Sequence, residues 1–331
     1  MSMDFDPRPP LIQQVITALK AAVRRGVLVT LSIDSCTFLR EPGTWRLGPL
    51  WYPQGFNKVS SSFQAQYQTY ERLKATANIT TILSNQPARP FTNPFAGRSH
   101  IKFSVINNHL FVGGCNLTTG TYDLMVGWED KLTADKLQQF LNSLEKSPSV
   151  HQTLRGEDQS WAIDEHTQLL IDAGERNRST ILEHALQLID SAQDHITITC
   201  QFFPNSVTAR HLAAAYKRGV QVTIAYADPA KQGKIGGTGQ RISILRERIR
   251  VPAELFKLRL PKDGPLLHAK LLATDAGTMI GSHNYVQAGV LLGTAEIALI
   301  SSDTAFHNAA VAALSRELAP VATLAQSPQL A

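Results

Sequence analysis

His100-Ile101-Lys102, then Asn107, then Gly113-Gly114-Cys115-Asn116 is one stretch of this chain; His268-Ala269-Lys270, then Asp275, then Gly281-Ser282-His283-Asn284 is another. In both, histidine and lysine are two apart, the Asn or Asp stands five beyond the lysine, and the last Asn stands sixteen beyond the histidine. A five-point pattern repeated at identical spacing marks a duplication. The apolar flanks (Phe103, Val105, Ile106; Leu271, Leu272) predict half-buried strands, in which side chains two apart share a face. Histidine and lysine then project together, while Ile101 or Ala269 points the other way. Asn107 or Asp275 opens a turn, and a second strand (110–112; 278–280) brings the chain back. Gly113-Gly114 or Gly281-Ser282 lets the backbone approach closely and sets Asn116 or Asn284 beside the His-Lys face. Each copy offers one titratable imidazole, one fixed cation and one amide donor. Face to face, two copies surround a tetrahedral anion.

The duplication extends outward from the motifs. Residues 11–25 place apolar side chains at helical spacing and end Arg24-Arg25-Gly26, a basic last turn followed by a glycine stop; a strand follows over 27–33. Residues 209–218, Gly219 and 220–225 repeat that unit. Helix-glycine-strand followed by strand-turn-strand, used twice, predicts an α/β chain of two similar domains, 1–150 and 151–331, with mixed sheets flanked by helices. The second half opens with an additional helix (179–191) and strand (196–203), whereas the first starts directly at the helix-glycine-strand unit. The first sheet is therefore expected to be one strand short, unless the chain continues upstream of Met1. Residues 132–144 form an amphipathic helix, 146–165 read as the linker, and 304–318 as a closing helix. The glycine-rich 233–239 lacks the order of a phosphate-binding loop and reads as a mobile loop leading into an arginine-rich helix, 241–250, whose arginines read as a solvated face. An aromatic excursion over 41–62, with Trp45, Trp51, Tyr52 and Phe56, suits a lid, a lipid-contacting surface or a packed loop.

Composition bounds the class. At 331 residues the chain has room for two cores, and 43% hydrophobic with 18% charged residues describes a folded protein rather than a disordered one. The net charge of +5 suits an anionic substrate and carries little weight alone. Cys36, Cys115 and Cys200 are odd in number and scattered, as reduced thiols are. Neither a signal peptide nor a membrane-spanning apolar run is legible, so the expected setting is cytoplasmic, with any membrane contact peripheral.

The paired pattern resembles the phospholipase D superfamily, whose motif reads H-x-K-x4-D followed by G-[GS]-x-N. The second copy matches throughout; the first departs at Asn107, where the family has Asp. The resemblance implies a domain interface with pseudo-two-fold symmetry as the active site. There one histidine attacks phosphorus to give a covalent phosphohistidine, and the other protonates the departing alcohol and then activates water or a second alcohol. By that resemblance His100 is the nucleophile and His268 the general acid. Lys102, Lys270, Asn116 and Asn284 hold the non-bridging oxygens, and with four such donors neither a metal nor another cofactor is expected. Asn107, Asp275, Gly113, Gly114, Gly281 and Ser282 shape the motifs. An acid downstream of each motif is implied to orient that motif's imidazole: Glu296 for the second copy, and Asp123, ahead of Glu129, for the first. His283 reads as a neighbour of the site and His109 as a turn residue.

Within the superfamily the turn Phe111-Val112-Gly113-Gly114-Cys115-Asn116 looks like that of bacterial cardiolipin synthase-like proteins. The favoured expectation is a phosphodiesterase or phosphatidyltransferase acting on phospholipid at a membrane surface. The alternatives are a nuclease of the same superfamily, with nucleic acid as its partner, and a catalytically degenerate binding module.

Overall fold

The computed structural model describes residues 1–39, 48–51, 59–86, 93, 95–256 and 265–317. In the first half, α1 (Pro10–Arg24) buries Ile12 and Ile16 and ends where Gly26 takes φ +89°, a left-handed turn open to glycine at little cost. Next come β1 (Val29–Asp34), α2 (Ser61–Lys74) and β2 (Ile79–Ser84), which pairs in parallel with β1. Beyond them, β3 (Phe103–Ile106), β4 (His109–Gly113) and β6 (Met125–Glu129) form an antiparallel sheet in the order β3-β4-β6, with the two-residue β5 (Thr121–Tyr122) inserted before β6. Helices α3 (Lys131–Lys146) and α4 (Val150–Thr153) close the half.

The second half comprises β7 (Gln159–Ala162), β8 (Thr167–Asp172), α5 (Thr180–Ser191), β9 (His195–Cys200), α6 (Val207–Lys217), β10 (Gln221–Tyr226), α7 (Gly233–Glu247), β11 (Leu266–Leu267), β12 (Leu271–Thr274), β13 (Gly277–Gly281), α8 (Gln287–Leu292), β14 (Glu296–Ser301) and α9 (Thr304–Glu317). Its seven-stranded mixed sheet runs β10-β9-β12-β13-β14-β8-β7. Between α6 and β10, Gly219 at φ +95° repeats the turn of Gly26. The two sheets meet along β4 and the β13-β14 pair. One apolar core there combines Ile101, Phe103, Leu110 and Val112 with Leu169, Ile171, Ile297 and Leu299, so the halves share buried surface.

A short bridge occupies the inner position of the first half's sheet. Where β9 lies between β10 and β12, the first half places Met1 and Ser2. Ser2 bridges Ile33 of β1 in parallel, and the Met1 amine donates to the Phe103 carbonyl of β3 at 2.7 Å. The Ser2 amide donates to Ser32 O and the Asp34 amide to Ser2 O, at 3.0 and 3.1 Å. Two residues thus span the gap that six fill in the other sheet.

Two expectations change, and a third falls mostly on residues that are not described. The glycine-rich 233–239 is the opening of α7 rather than a mobile loop. The helix lies so close to the preceding turn that a Cβ on Gly237 would stand 2.1 Å from Pro229 O, so glycine permits contact there instead of disorder. The stretch read as linker contains β7, which pairs with β8 and joins the second sheet. The aromatic excursion lies mostly outside the described residues.

Asp275 shows what the motif acid does in the fold. Its carboxylate accepts the backbone N–H groups of Gln193, Asp194 and His195 at 2.9, 3.1 and 3.2 Å, tying the β12-β13 turn to the entry of β9. Partial burial pushes this carboxyl up, but the three amides outweigh it and hold it at about 2. Asn107 occupies the equivalent turn at φ +55°, a conformation that Asn tolerates better than most residues. Asp275→Ala should lower stability to urea by about 1–2 kcal/mol with the helix content unchanged. The carboxyl's folded-state pKa is depressed, so wild type should hold this advantage above the ordinary carboxylate range and lose it as pH falls towards 2. A difference that persists unchanged at pH 2 would contradict the assignment.

Candidate active site

Both motif segments run extended into β3 and β12, and in each the residue between histidine and lysine is fully buried in a core, Ile101 in one and Ala269 in the other. That burial turns His100 and Lys102, and likewise His268 and Lys270, towards one cleft of about 600 Å³. Asn116 and Asn284 line the same cleft, so the six polar residues expected from the two motifs are brought together.

Short strand pairings between the halves decide which acid meets which histidine. β11 pairs in parallel with β5, and the amides of His268 and Ala269 both donate to Tyr122 O, at 2.8 and 3.0 Å. The residue after Tyr122 is Asp123, whose carboxylate hydrogen-bonds His268 Nδ1. On the other side, Ser99 bridges Ala295 in parallel; the His100 amide donates to Ala295 O and the Ala295 amide to Arg98 O, both at 2.8 Å. Here the residue after Ala295 is Glu296, and its Oε1 lies 3.1 Å from His100 Nδ1 as an ion-pair contact. The expected pairing of each acid with its own motif is therefore exchanged: Asp123 serves the second histidine and Glu296 the first. Glu129, at the end of β6, pairs in register with His109 and is exposed.

The motif turns buttress these acids from within their own halves. A Cβ on Gly114 would stand 2.1 Å from Asp123 Oδ1, so only a glycine leaves that carboxylate its place. At the matching position, Ser282 donates its hydroxyl to Glu296 Oε2. Across β14, Asp172 stands directly opposite Glu296. Burial pushes Asp172 up to about 7, and a neutral form there spares Glu296 a second negative charge.

Burial dominates the electrostatics. It presses Lys102 down, against the opposing pull of Glu296 and Asp123, and brings Lys270 to about 8. Burial also lowers His268, to about 4, with Lys270 adding to the effect and Asp123 opposing it. For the acids, burial alone would favour the neutral forms. The Lys270 charge and the His268 contact nonetheless keep Asp123 low, and His100 foremost keeps Glu296 at about 2. Lys102 Nζ donates to His100 O at 2.7 Å. Lys270 Nζ stands 2.8 Å from His268 Nδ1, so that nitrogen faces a cation and a carboxylate at once: protonated it donates to Asp123, unprotonated it accepts from Lys270.

Some supporting residues were not legible in the sequence. Asn116 Oδ1 accepts from the amides of Met3 and Asp4 at 3.3 and 3.2 Å, which leaves its NH2 group as the donor for the cleft. Asn284 Oδ1 is buried without a hydrogen-bond partner among the described residues. A buried ion pair, Arg98 to Asp34 at 3.1 Å, anchors the entry to the first motif, and Asp34 Oδ2 also accepts the Ser99 amide at 2.8 Å. Nothing local marks Asp34 or Arg98 in the chain. His283 is buried beside the site, its Nδ1 accepting from the Tyr285 amide at 3.0 Å, as a neighbour would be; His109, read from the sequence as a turn residue, is exposed at the first position of β4.

Imidazole NMR tests this arrangement directly. His268 should titrate near 4 in wild type, lower still in Asp123→Asn, and higher in Lys270→Met. A His268 that titrates in the ordinary range in all three proteins would contradict the geometry.

Residues 185–318 match the family model described as "Cardiolipin synthase, PLD-like domain". Among solved structures, the chain is similar to a phosphatidylserine synthase from Haemophilus influenzae Rd KW20, at 14% identity and a TM-score of 0.64, over 96% of this chain and 78% of that one. Nuc from Salmonella typhimurium, a phospholipase D family member, aligns at 20% identity with a TM-score of 0.35, over 50% of this chain and 96% of that one. NucT from Helicobacter pylori aligns at 18% identity with a TM-score of 0.36, over 50% of this chain and 98% of that one. Among curated proteins no sequence matches.

Proposed function

We infer, from a chain with the phospholipase D fold and a phospholipase D-like domain over residues 185–318, that it is a phosphodiesterase acting on phospholipid through a phosphohistidine, by hydrolysis or phosphatidyl transfer. The observation that carries this reading is the exchange of acids: two histidines, each backed by a carboxylate from the opposite half, share one cleft with two buried lysines. Displacement at phosphorus needs a nucleophile on one side and a proton donor on the other, with cations for the equatorial oxygens.

In the proposed sequence His100 Nε2 attacks phosphorus while Glu296 stabilises the positive charge that develops on the ring. The P–O bond to the leaving alcohol breaks, and His268 gives that oxygen its proton. Neutral His268 then takes a proton from water or a second alcohol, whose oxygen attacks the phosphohistidine; the P–N bond breaks and His100 is restored. His268 must carry a proton in the first step, although its surroundings hold it near 4 in the protein alone. A phosphodiester anion between Lys102 and Lys270 offsets their charge and raises it. The substrate thus supplies part of the condition for its own cleavage.

Phospholipid is favoured over nucleic acid by the cleft wall. Asp4 and Asp6 line it together with apolar Phe63, Phe202 and Leu266, and Asp6 is held by Arg8 at 2.7 Å. One phosphodiester fits beside the lysines, but along this wall Asp4 and Asp6 stand among Arg8 and Lys231, so a strand laying successive phosphates would meet mixed charge instead of the continuous row of cations it needs.

Wild type should turn over phosphatidylglycerol micelles in the presence of a chelator and leave single- and double-stranded DNA intact. His100→Ala and His268→Ala should each lower kcat by about a thousandfold or more. An activated aryl phosphodiester needs little help with its leaving group, so His268→Ala should accumulate an acid-labile adduct that mass spectrometry maps to His100. An adduct on His268 in His100→Ala would exchange the two roles, and full turnover by either variant would end the reading. Gly114→Ala should displace Asp123 and lower kcat about a hundredfold with little change in KM, since Asp123 acts through His268; unchanged kcat would show that Asp123 tolerates the shift.

A further inference from the structure

Helix α7 begins at the cleft, where Gln232 and Gly236 line the wall, and its later residues are not among the lining. Ile242 and Leu245 in its last turns, and Ile249 in the turn just beyond its end, are 48%, 65% and 87% exposed. Ile242 and Leu245, three apart, share the exposed side of the helix, and Ile249 follows them on the exposed turn that ends it. Arg241 and Arg246 on the helix, Arg248 at its cap and Arg250 in the turn beyond are all exposed around these aliphatic side chains. None of the four pairs with a carboxylate among the described residues, and the acid of the segment, Glu247, is turned inward and receives the Ser206 amide at 3.0 Å.

A solvated face has no use for three aliphatic side chains at its centre, and a buried face would not be bordered by free cations. We propose that this face of α7 docks on an anionic phospholipid surface, with the aliphatic side chains entering the acyl boundary and the arginines at the level of the headgroup phosphates. Arginine stems lie along apolar surface while their guanidinium groups stay with water and phosphate, which suits this border. Charge complementarity selects the occupant: a basic rim around an apolar centre matches a bilayer carrying negative headgroups. The position of the helix adds a consequence, because a surface held by its last turns lies next to the cleft that its first turn lines. The proposal rests on reading that cleft as a phospholipid site. Among the described residues no helix is long and apolar enough to cross a membrane, so this contact is made at the surface.

The test is flotation of the full chain with vesicles of equal parts phosphatidylglycerol and phosphatidylcholine, and with vesicles of phosphatidylcholine alone. Wild type and His268→Ala should both bind the anionic vesicles and bind the neutral ones far less. Ile242→Ser, Leu245→Ser and Ile249→Ser combined should weaken anionic binding about tenfold or more, and Arg241→Gln, Arg246→Gln, Arg248→Gln and Arg250→Gln combined about a hundredfold. Both sets should retain wild-type turnover of a short-chain phospholipid kept below its micelle concentration, which also shows that they fold. Helix variants that bind anionic vesicles as wild type does would overturn the proposal. So would arginine variants that lose single-stranded DNA instead, or a wild-type dimer that the serine variant abolishes in the absence of vesicle binding. If wild type turns over no lipid yet the helix variants still lose vesicle binding, the docking face stands and the reading of the cleft fails.

Discussion

Two histidines and two carboxylates exchange partners across the contact between the halves, and each half-buried imidazole has a buried carboxylate on one side and a buried lysine close by. Taking charged groups out of water is costly, and a lone lysine or carboxylate in this position would be driven to its neutral form. Here the charges stand together: Lys102 and Lys270 against Asp123 and Glu296, with burial pushing Asp172 beside Glu296 up to about 7. The set is tolerated because it is complete. Each imidazole is fixed by a group that belongs to the other half, so the shared apolar core beneath the motifs also maintains the site.

Much of this was legible in the chain because strand geometry is local. The two-residue interval from His100 to Lys102 and from His268 to Lys270 fixes a common face, and the buried Ile101 and Ala269 show why that face turns to the cleft. Asn116 and Asn284 follow from the tight returns at Gly113 and Gly281. The helices and strands around Gly26 and Gly219 stand close to where periodicity places them. Asp123 and Glu296 were identifiable as candidates, but their partners were not. Which histidine each acid reaches depends on the pairing of β5 with β11 and of Ser99 with Ala295, contacts between segments more than a hundred residues apart. No spacing within one half encodes them.

Other differences have equally physical causes. Glycines are poor helix formers, which makes 233–239 read as a loop, yet the close approach of Gly237 to Pro229 O is open to no larger residue. The arginine-rich run of 241–250 reads as a solvated face because charge alone says nothing about what lies between the charges. Only the placement of Ile242, Leu245 and Ile249 on the outside gives that face a centre. The short bridge of Met1 and Ser2 in place of a full strand likewise depends on contacts with β1 and β3 that no composition predicts.

The crossing of acids also constrains how such a chain can change. A substitution that moved Asp123 would be felt by a histidine encoded far downstream, and a chimera that took one half from a divergent relative would import an imidazole without the carboxylate fitted to it. The two halves are thereby coupled: a change at either carboxylate bears on an imidazole that the other half carries.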